Sequence, residues 1–203
     1  IVDEDARRVT FVKTGGPLLP DTYTVTLRSA GDGFRDSSGF LLDGDGDGTE
    51  GDDYTTAFTV ESPGSSSVTV GIPDFVRGPG QEVNLPADAT TGIPLTISPA
   101  TNVRAIDVRI RFDPALIEIT GASIGADAPA NGSVVLNNLT PGLAIVVFFS
   151  PTPLPASGGA FVHLAAAVPA ADPSIYRSQQ VMDVHSVVVS DGNDNEYPVI
   201  EDD

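Results

Sequence analysis

Residues 103–120, VRAIDVRIRFDPALIEIT, set a strict two-residue alternation against an Asp-Pro break. Successive side chains of a strand point to opposite faces, so Ile106, Val108, Ile110 and Phe112 share one face while Asp107, Arg109 and Arg111 share the other. The pattern is that of a half-buried strand. Pro114 lacks a backbone donor and keeps Asp113 out of helical space, so the chain turns there and resumes as an apolar strand over residues 116–120. The outward face carries paired charges instead of Ser and Thr, which makes it a candidate docking surface.

Short strands joined by tight turns account for the rest of the chain. Its 21 Gly and 17 Pro follow no fixed period, which excludes collagen, and helix signals are nearly absent. The best helical candidate, the Ala-rich run 165–171, is interrupted by Pro169 and Pro173 and reads as a strand end and loop. At 203 residues the chain fits two small domains. Strands are expected at 8–13, 22–28 and 54–60, with a long acidic loop between the last two. A small, polar stretch, 62–67, reads as a linker. Beyond it strands are expected at 68–72, 82–85, 93–97, 103–112, 116–120, 133–137, 143–150, 160–168 and 179–190, with a short last one at 197–200. This spacing is that of an all-β sandwich or jelly roll.

Acidic residues number 28 against 10 Lys plus Arg, a net charge of -18, and that balance repels nucleic acid and anionic lipid. Carboxylates keep the surface soluble, which suits simple solubility or a saline or calcium-rich medium. With no cysteine there is no disulfide framework, thiolate metal site or Cys nucleophile. No apolar run approaches the roughly 20 residues that span a bilayer. The opening Ile-Val-Asp-Glu-Asp is no signal peptide, so a mature or excised fragment is expected.

Two resemblances follow. Residues 18–60, with the strand Thr22-Tyr23-Thr24, an Asp-Gly loop and a closing Phe58 strand, resemble the C-terminal half of bacterial Ig-like domains. Three strands fall short of the about seven of a complete Ig-type sandwich, so this unit is read as partial. From residue 67 onward the order VTVGIPDFVRGPGQEVNLP, VRAIDVRIRFDPALIEITGASIG, SGGAFVHLAAAVP, VMDVHSVVVSDGNDNEYPVIEDD resembles the cohesin domain of cellulosomal scaffoldins. The matching features are the Gly78-Pro79-Gly80 turn, the Asp113-Pro114 break and the Ser157-Gly158-Gly159 turn. The resemblance implies a jelly roll of about nine strands that binds a dockerin through one sheet face. The expected plan is a partial Ig-like unit over 1–61, a linker over 62–67 and a cohesin-like sandwich over 68–203.

The strongest local motif is Asp43-Gly44-Asp45-Gly46-Asp47-Gly48, a D-x-D-x-D-G run matching positions 1, 3, 5 and 6 of a calcium loop. Alternate carboxylates converge on one hard cation, and Gly48 permits the turn that brings the Thr49 carbonyl inward. Position 12 is Tyr54 rather than Glu, so this is no EF-hand, and Asp52, Asp53 or Asp36 would close the sphere. Calcium is the expected ion, because carboxylates packed this tightly repel one another without a cation. The alternative is a solvated acidic loop. A second oxygen-rich stretch, Asp191-Gly192-Asn193-Asp194-Asn195-Glu196, is read as an ordinary hairpin turn.

Gly121-Ala122-Ser123-Ile124-Gly125 spells a nucleophile elbow, but residues 126–132 form a loop where the motif needs a helix. His163 and His185 lack a visible third ligand or base partner and are expected at surface or half-buried strand positions. Aromatics are 6% with no Trp, which disfavours a sugar-gripping cleft. The sequons at Asn131 and Asn138 are read as chance. Residues 143–149 are apolar on both faces, and a central strand buried on both sides is expected; the alternative is an apolar patch flanked by Asp107, Arg109 and Arg111.

The functional expectation is a non-catalytic protein-interaction module of a large extracellular or cell-surface bacterial protein, capturing a dockerin-like partner at Asp107, Arg109 and Arg111. A calcium-stiffened spacer of an adhesin and an accessory domain of a polysaccharide-degrading enzyme are the alternatives.

Overall fold

The computed structural model describes residues 2–3, 8–9, 11, 18–36, 38–62, 67–87, 89–170, 178–193 and 195–202. Among them every regular element is a β-strand. The chain divides into two compact units, Leu18–Pro63 and a larger one formed by Ile1–Pro17 with Gly64–Asp203.

In the larger unit β1 (Val2–Asp3) and β2 (Arg8–Val9) pair antiparallel with each other. The remainder of the strand expected over 8–13 and the central residues of the expected linker lie outside the described residues, apart from Phe11. Nine further strands form two sheets: β5 (Val68–Gly71), β6 (Ile93–Ser98), β7 (Ala105–Arg111), β8 (Glu118–Ile124), β9 (Ser133–Asn137), β10 (Leu143–Phe149), β11 (Gly159–Ala167), β12 (Asp183–Ser190) and β13 (Val199–Asp202). The orders are β12-β7-β10-β9 and β13-β5-β6-β11-β8. All pairings are antiparallel except β13 with β5. This is the expected all-β sandwich of nine strands.

Alternation explains the core. From the four-stranded sheet, Ile106, Val108 and Ile110 of β7 and Ala144, Val146 and Phe148 of β10 turn inward and are fully buried. Ile93, Leu95 and Ile97 of β6 and Val162 and Leu164 of β11 are buried from the other sheet, and Phe148 meets Phe161 edge to face at 5.7 Å. Each of these Val, Leu, Ile and Phe side chains contributes about 1.5–3 kcal/mol by leaving water.

The Asp113-Pro114 break is a crossover between sheets. Asp113 Oδ1 accepts the Ala115 N–H at 2.8 Å and its carbonyl accepts Leu116 and Ile117 N–H, so Leu116 belongs to the turn and β8 starts at Glu118, later than expected. β8 then runs through Gly121–Ile124 as regular strand, which places Ser123 on the ladder opposite His163 and leaves no elbow. Gly158 and Gly159, both at positive φ, open β11: a Cβ on Gly158 would lie 1.9 Å from the Ile97 carbonyl oxygen.

Two expectations fail. Residues 82–85 form no strand: Glu82 makes a single bridge with Ala167, and the Asn84 side-chain oxygen takes the Gly92 N–H in place of a ladder partner. Val83 is nonetheless buried, so alternation read its burial correctly and its pairing wrongly. His163 is buried in β11 rather than at the surface or half-buried.

In Leu18–Pro63, β3 (Asp21–Leu27) and β4 (Tyr54–Val60) pair over seven antiparallel residues. Tyr23 lies opposite Phe58 and stacks on it at 5.6 Å. The acidic loop joins the two strands.

Candidate functional sites on a sheet face and an acidic loop

The outward face of β12-β7-β10-β9 is defined by register. Ladder partners place Val188, Asp107, Val147 and Val135 in one row across the sheet, with His185, Arg109, Ile145 and Asn137 in the next. Asp183, Arg111 and Leu143 follow on one side; Ser190, Ala105, Phe149 and Ser133 lie on the other. Directly opposed residues in neighbouring strands sit about 4.5–5.5 Å apart, so each row is a continuous surface.

The expectation that β10 is buried on both sides is overturned here. Its inward residues are sealed, but Val147 is 41% and Phe149 48% exposed, joined by Val135 at 63% and Val188 at 43%. Nothing among the described residues covers them, because β10 is central within its sheet yet outermost in the sandwich. An apolar centre bordered by charge is the makeup of a protein interface.

The charged border is organised. Arg109 Nη1 lies 3.4 Å from Asp107 Oδ1 and donates to the Ser186 carbonyl at 3.3 Å. Arg111 reaches Asp183 at 3.9 Å with its side chain 67% exposed, and His185 Nδ1 lies 3.8 Å from the same carboxylate. Asp107 Oδ1 is buried and accepts no hydrogen bond. Asp107, Arg109 and Arg111 thus share one face, as the alternation predicts. The sequence reading missed Val135 and Val188, whose outward placement depends on ladder register, and Phe149 and Val147 were assigned to the alternative.

The acidic loop gathers its first three carboxylates. One oxygen from each of Asp43, Asp45 and Asp47 lies within 4.8 Å of the others, close enough to hold one metal ion, and no other such group of His, Cys, Asp or Glu occurs among the described residues. Asp43 shapes the turn: its Oδ1 accepts Gly46 and Asp47 N–H at 2.8 and 3.2 Å, and its Oδ2 accepts Gly48 N–H at 2.9 Å. Asp45 Oδ1 accepts Asp47 N–H, and Asp47 Oδ1 accepts Thr49 N–H at 2.6 Å. The loop closes through a parallel bridge between Asp43 and Asp52, so tight that a Cβ on Gly44 would lie 2.3–2.5 Å from the backbone of Asp52, Asp53 and Tyr54.

The remaining expected ligands are distributed differently. Asp36 caps its own turn, accepting Ser38 and Phe40 N–H at 2.8 and 2.9 Å, and Asp53 accepts Ser29 N–H at 2.7 Å. Neither joins the three-carboxylate group. Asp52 feels it: lost solvation first, then repulsion from Asp45, Asp47, Asp43 and Asp53, raise its carboxyl above the ordinary 3.8.

At the second oxygen-rich stretch Ser190 bridges Glu196 antiparallel, the arrangement of a hairpin turn. Asp191 accepts Asn195 Nδ2 at 2.8 Å and Asn193 N–H at 2.7 Å, and these bonds hold its carboxyl below 3.8. Asp194 lies outside the described residues. Asn138 Nδ2 donates to the Ile119 carbonyl at 2.7 Å, tying the turn after β9 to β8. Among the described residues no helix is long and apolar enough to cross a membrane.

Comparison with known proteins agrees with this architecture. The CaCohA2 module of Clostridium acetobutylicum, solved in solution, superposes with a TM-score of 0.52 at 19% identity, over 68% of this chain and 92% of that one. The Coh-OlpC module of Clostridium thermocellum, from a type I cohesin–dockerin complex, gives 0.51 at 16% identity over 70% and 93%. A non-cellulosomal cohesin of the archaeon Archaeoglobus fulgidus gives 0.50 at 13% over 66% and 86%. At these identities the likeness is one of fold. No curated protein sequence matches significantly. The family model for the cohesin domain matches residues 80–201, more than half of the chain. The chain therefore belongs to the cohesin family.

Proposed function

We propose that this chain is a non-catalytic interaction module that captures a dockerin-like protein on the outward face of β12-β7-β10-β9. One observation carries the reading: Val135, Val147, Phe149 and Val188 stand exposed in the middle of a face whose reverse side is the buried core, with Asp107, Arg109 and Arg111 beside them. The apolar centre supplies area, and the arginines set orientation and partner choice. The solved cohesins similar to this chain include one crystallised with its dockerin. Such a module belongs on an extracellular or cell-surface scaffold within a larger polypeptide. The test is surface plasmon resonance against a panel of purified dockerin modules. The double reversal Arg109→Glu with Arg111→Glu should weaken capture about 10- to 100-fold in a protein that circular dichroism shows to be folded. Retained binding by the reversed protein removes this face.

A second reading concerns the acidic loop, favoured by the convergence of Asp43, Asp45 and Asp47. These carboxylates hold a calcium ion, with the Thr49 carbonyl and Asp52 completing the oxygen shell and the cation relieving the repulsion that raises Asp52. Bound calcium would stiffen the link between β3 and β4. Calorimetric titration should show calcium binding that the double substitution Asp45→Asn with Asp47→Asn abolishes. A melting curve of Leu18–Pro63 signals unmoved by calcium and by chelator alike would leave the loop merely solvated.

A further inference from the structure

β12 carries one residue more than the facing part of β7. His185 lies opposite Arg109 and Val188 opposite Asp107, so Ser186 and Val187 together face Val108. A regular ladder would set Val187 against Asp107 and turn Val188 toward the core. The extra residue therefore decides which valine of the run 187–189 reaches the docking face, and Val189 is returned to full burial. Ser186 adopts φ +51, the left-handed region that a residue with a Cβ occupies only when its surroundings hold it there.

Two bonds hold this bulge. The Ser186 carbonyl, turned out of the ladder, accepts Arg109 Nη1 at 3.3 Å. The Val187 N–H is taken at 3.1 Å by Glu201 Oε1, which reaches over from β13 of the opposite sheet. Arg109 Nη1 is at the same time 3.4 Å from Asp107 Oδ1, an oxygen that accepts no hydrogen bond. The guanidinium is thus shared between a carbonyl and a carboxylate and stays stretched across the face.

We infer that Glu201 is a positioning residue for the docking face: it fixes the β12 bulge, the bulge presents the Ser186 carbonyl, and the carbonyl orients Arg109 while Val188 is kept outward. The functional half of this inference rests on the docking reading above. Glu201 is exposed, lies on the other sheet and touches none of the face residues through its own side chain in the bonds described, so its effect passes through the backbone of β12.

The experiment is side-chain NMR of the ¹⁵N-labelled arginines in the full chain, with dockerin capture measured beside it. In the unaltered protein Arg109 should show slower guanidinium rotation than the exposed Arg111. Glu201→Ala should bring Arg109 to the rate of Arg111, whereas Glu201→Gln, which keeps an acceptor oxygen, should leave it slow. Deleting Ser186 retains His185 opposite Arg109 and Val188 opposite Asp107 but removes the extra residue, and should release Arg109 as well; if that deletion does not fold, the Glu201 pair decides. Capture of the dockerin that binds best should fall about 3- to 10-fold in Glu201→Ala and recover in Glu201→Gln. Arg109 remaining slow in a folded Glu201→Ala protein overturns the inference. Release of Arg109 with no dockerin captured by any form, the unaltered protein included, upholds the positioning and overturns the docking reading instead.

Discussion

In the nine-stranded sandwich Ile106, Val108 and Ile110 are sealed between two sheets, whereas in Leu18–Pro63 the corresponding alternate residues Tyr23, Val25 and Leu27 are only half-buried and Tyr54 and Phe58 stay exposed. Both strands alternate equally well. What separates them is a second layer: no described residue of Leu18–Pro63 is buried, and a lone two-stranded hairpin is marginal in water. Alternation assigns side chains to faces, and only a facing sheet turns that assignment into burial. The hairpin relies instead on cross-strand pairs such as Tyr23 with Phe58 and Thr22 with Thr59, and on the self-bonded loop that joins its strands.

The contrast can be broken most forcefully from the core side. Phe148→Ala removes a fully buried ring from the centre of the sandwich and should cost about 3–5 kcal/mol, read as a fall in the urea midpoint of the larger unit. A loss under about 1 kcal/mol would mean that the two sheets collapse onto the vacated space. The hairpin counterpart, Tyr23→Ala, removes one stacked pair and should cost about 0.5–1.5 kcal/mol, appearing as faster amide exchange along β3 and β4. Equal effects from the two substitutions would erase the distinction drawn here.

Acidification gives the smallest and most local comparison. Asp52 has its carboxyl raised above 3.8 by lost solvation and by its acidic neighbours, so the folded loop takes up a proton before the unfolded chain does, and lowering pH through that raised value relieves the repulsion among these carboxylates. Asp191 has its carboxyl lowered, so its contribution is present above 3.8 and is lost as pH falls through its depressed folded value. Amide protection factors, with the intrinsic slowing of exchange in acid divided out, should therefore rise around Asp52 while they fall at Asn193 and Asn195. Movement in the same direction at both turns would contradict the assigned shifts.

Much of the sandwich was legible because its inward residues recur every second position between turn signals. β7 is the clearest case: apolar inside and charged outside leave one orientation for the strand, and Asp107, Arg109 and Arg111 fall together on the outer face as read. β10 was not legible. A run apolar at every position looks the same whether both faces are buried or one is left for a partner, and the decision belongs to the neighbours. The segment 82–85 failed for a related reason: Val83 needed burial, but its ladder with β11 stops after one bridge, β6 pairing with that strand from Leu164, and Asn84 supplied the next acceptor. In the acidic loop the alternate Asp residues announced their convergence, while the separate engagements of Asp36 and Asp53 with nearby backbone depended on how the chain folded around them.

The sequence by itself determined the all-β class, the division of β7 into a core face and a charged face, the turn at Asp113-Pro114 and the gathering of Asp43, Asp45 and Asp47. Each of these follows from contacts between residues close along the chain, through side-chain alternation, proline geometry and short carboxylate spacing. Tertiary structure alone decided that Val147 and Phe149 are exposed, that Val188 rather than Val187 joins them, and that Glu201 reaches the backbone which orients Arg109. Those outcomes rest on which strand becomes the neighbour and in what register, and three consecutive valines carry no local preference for the one that faces outward.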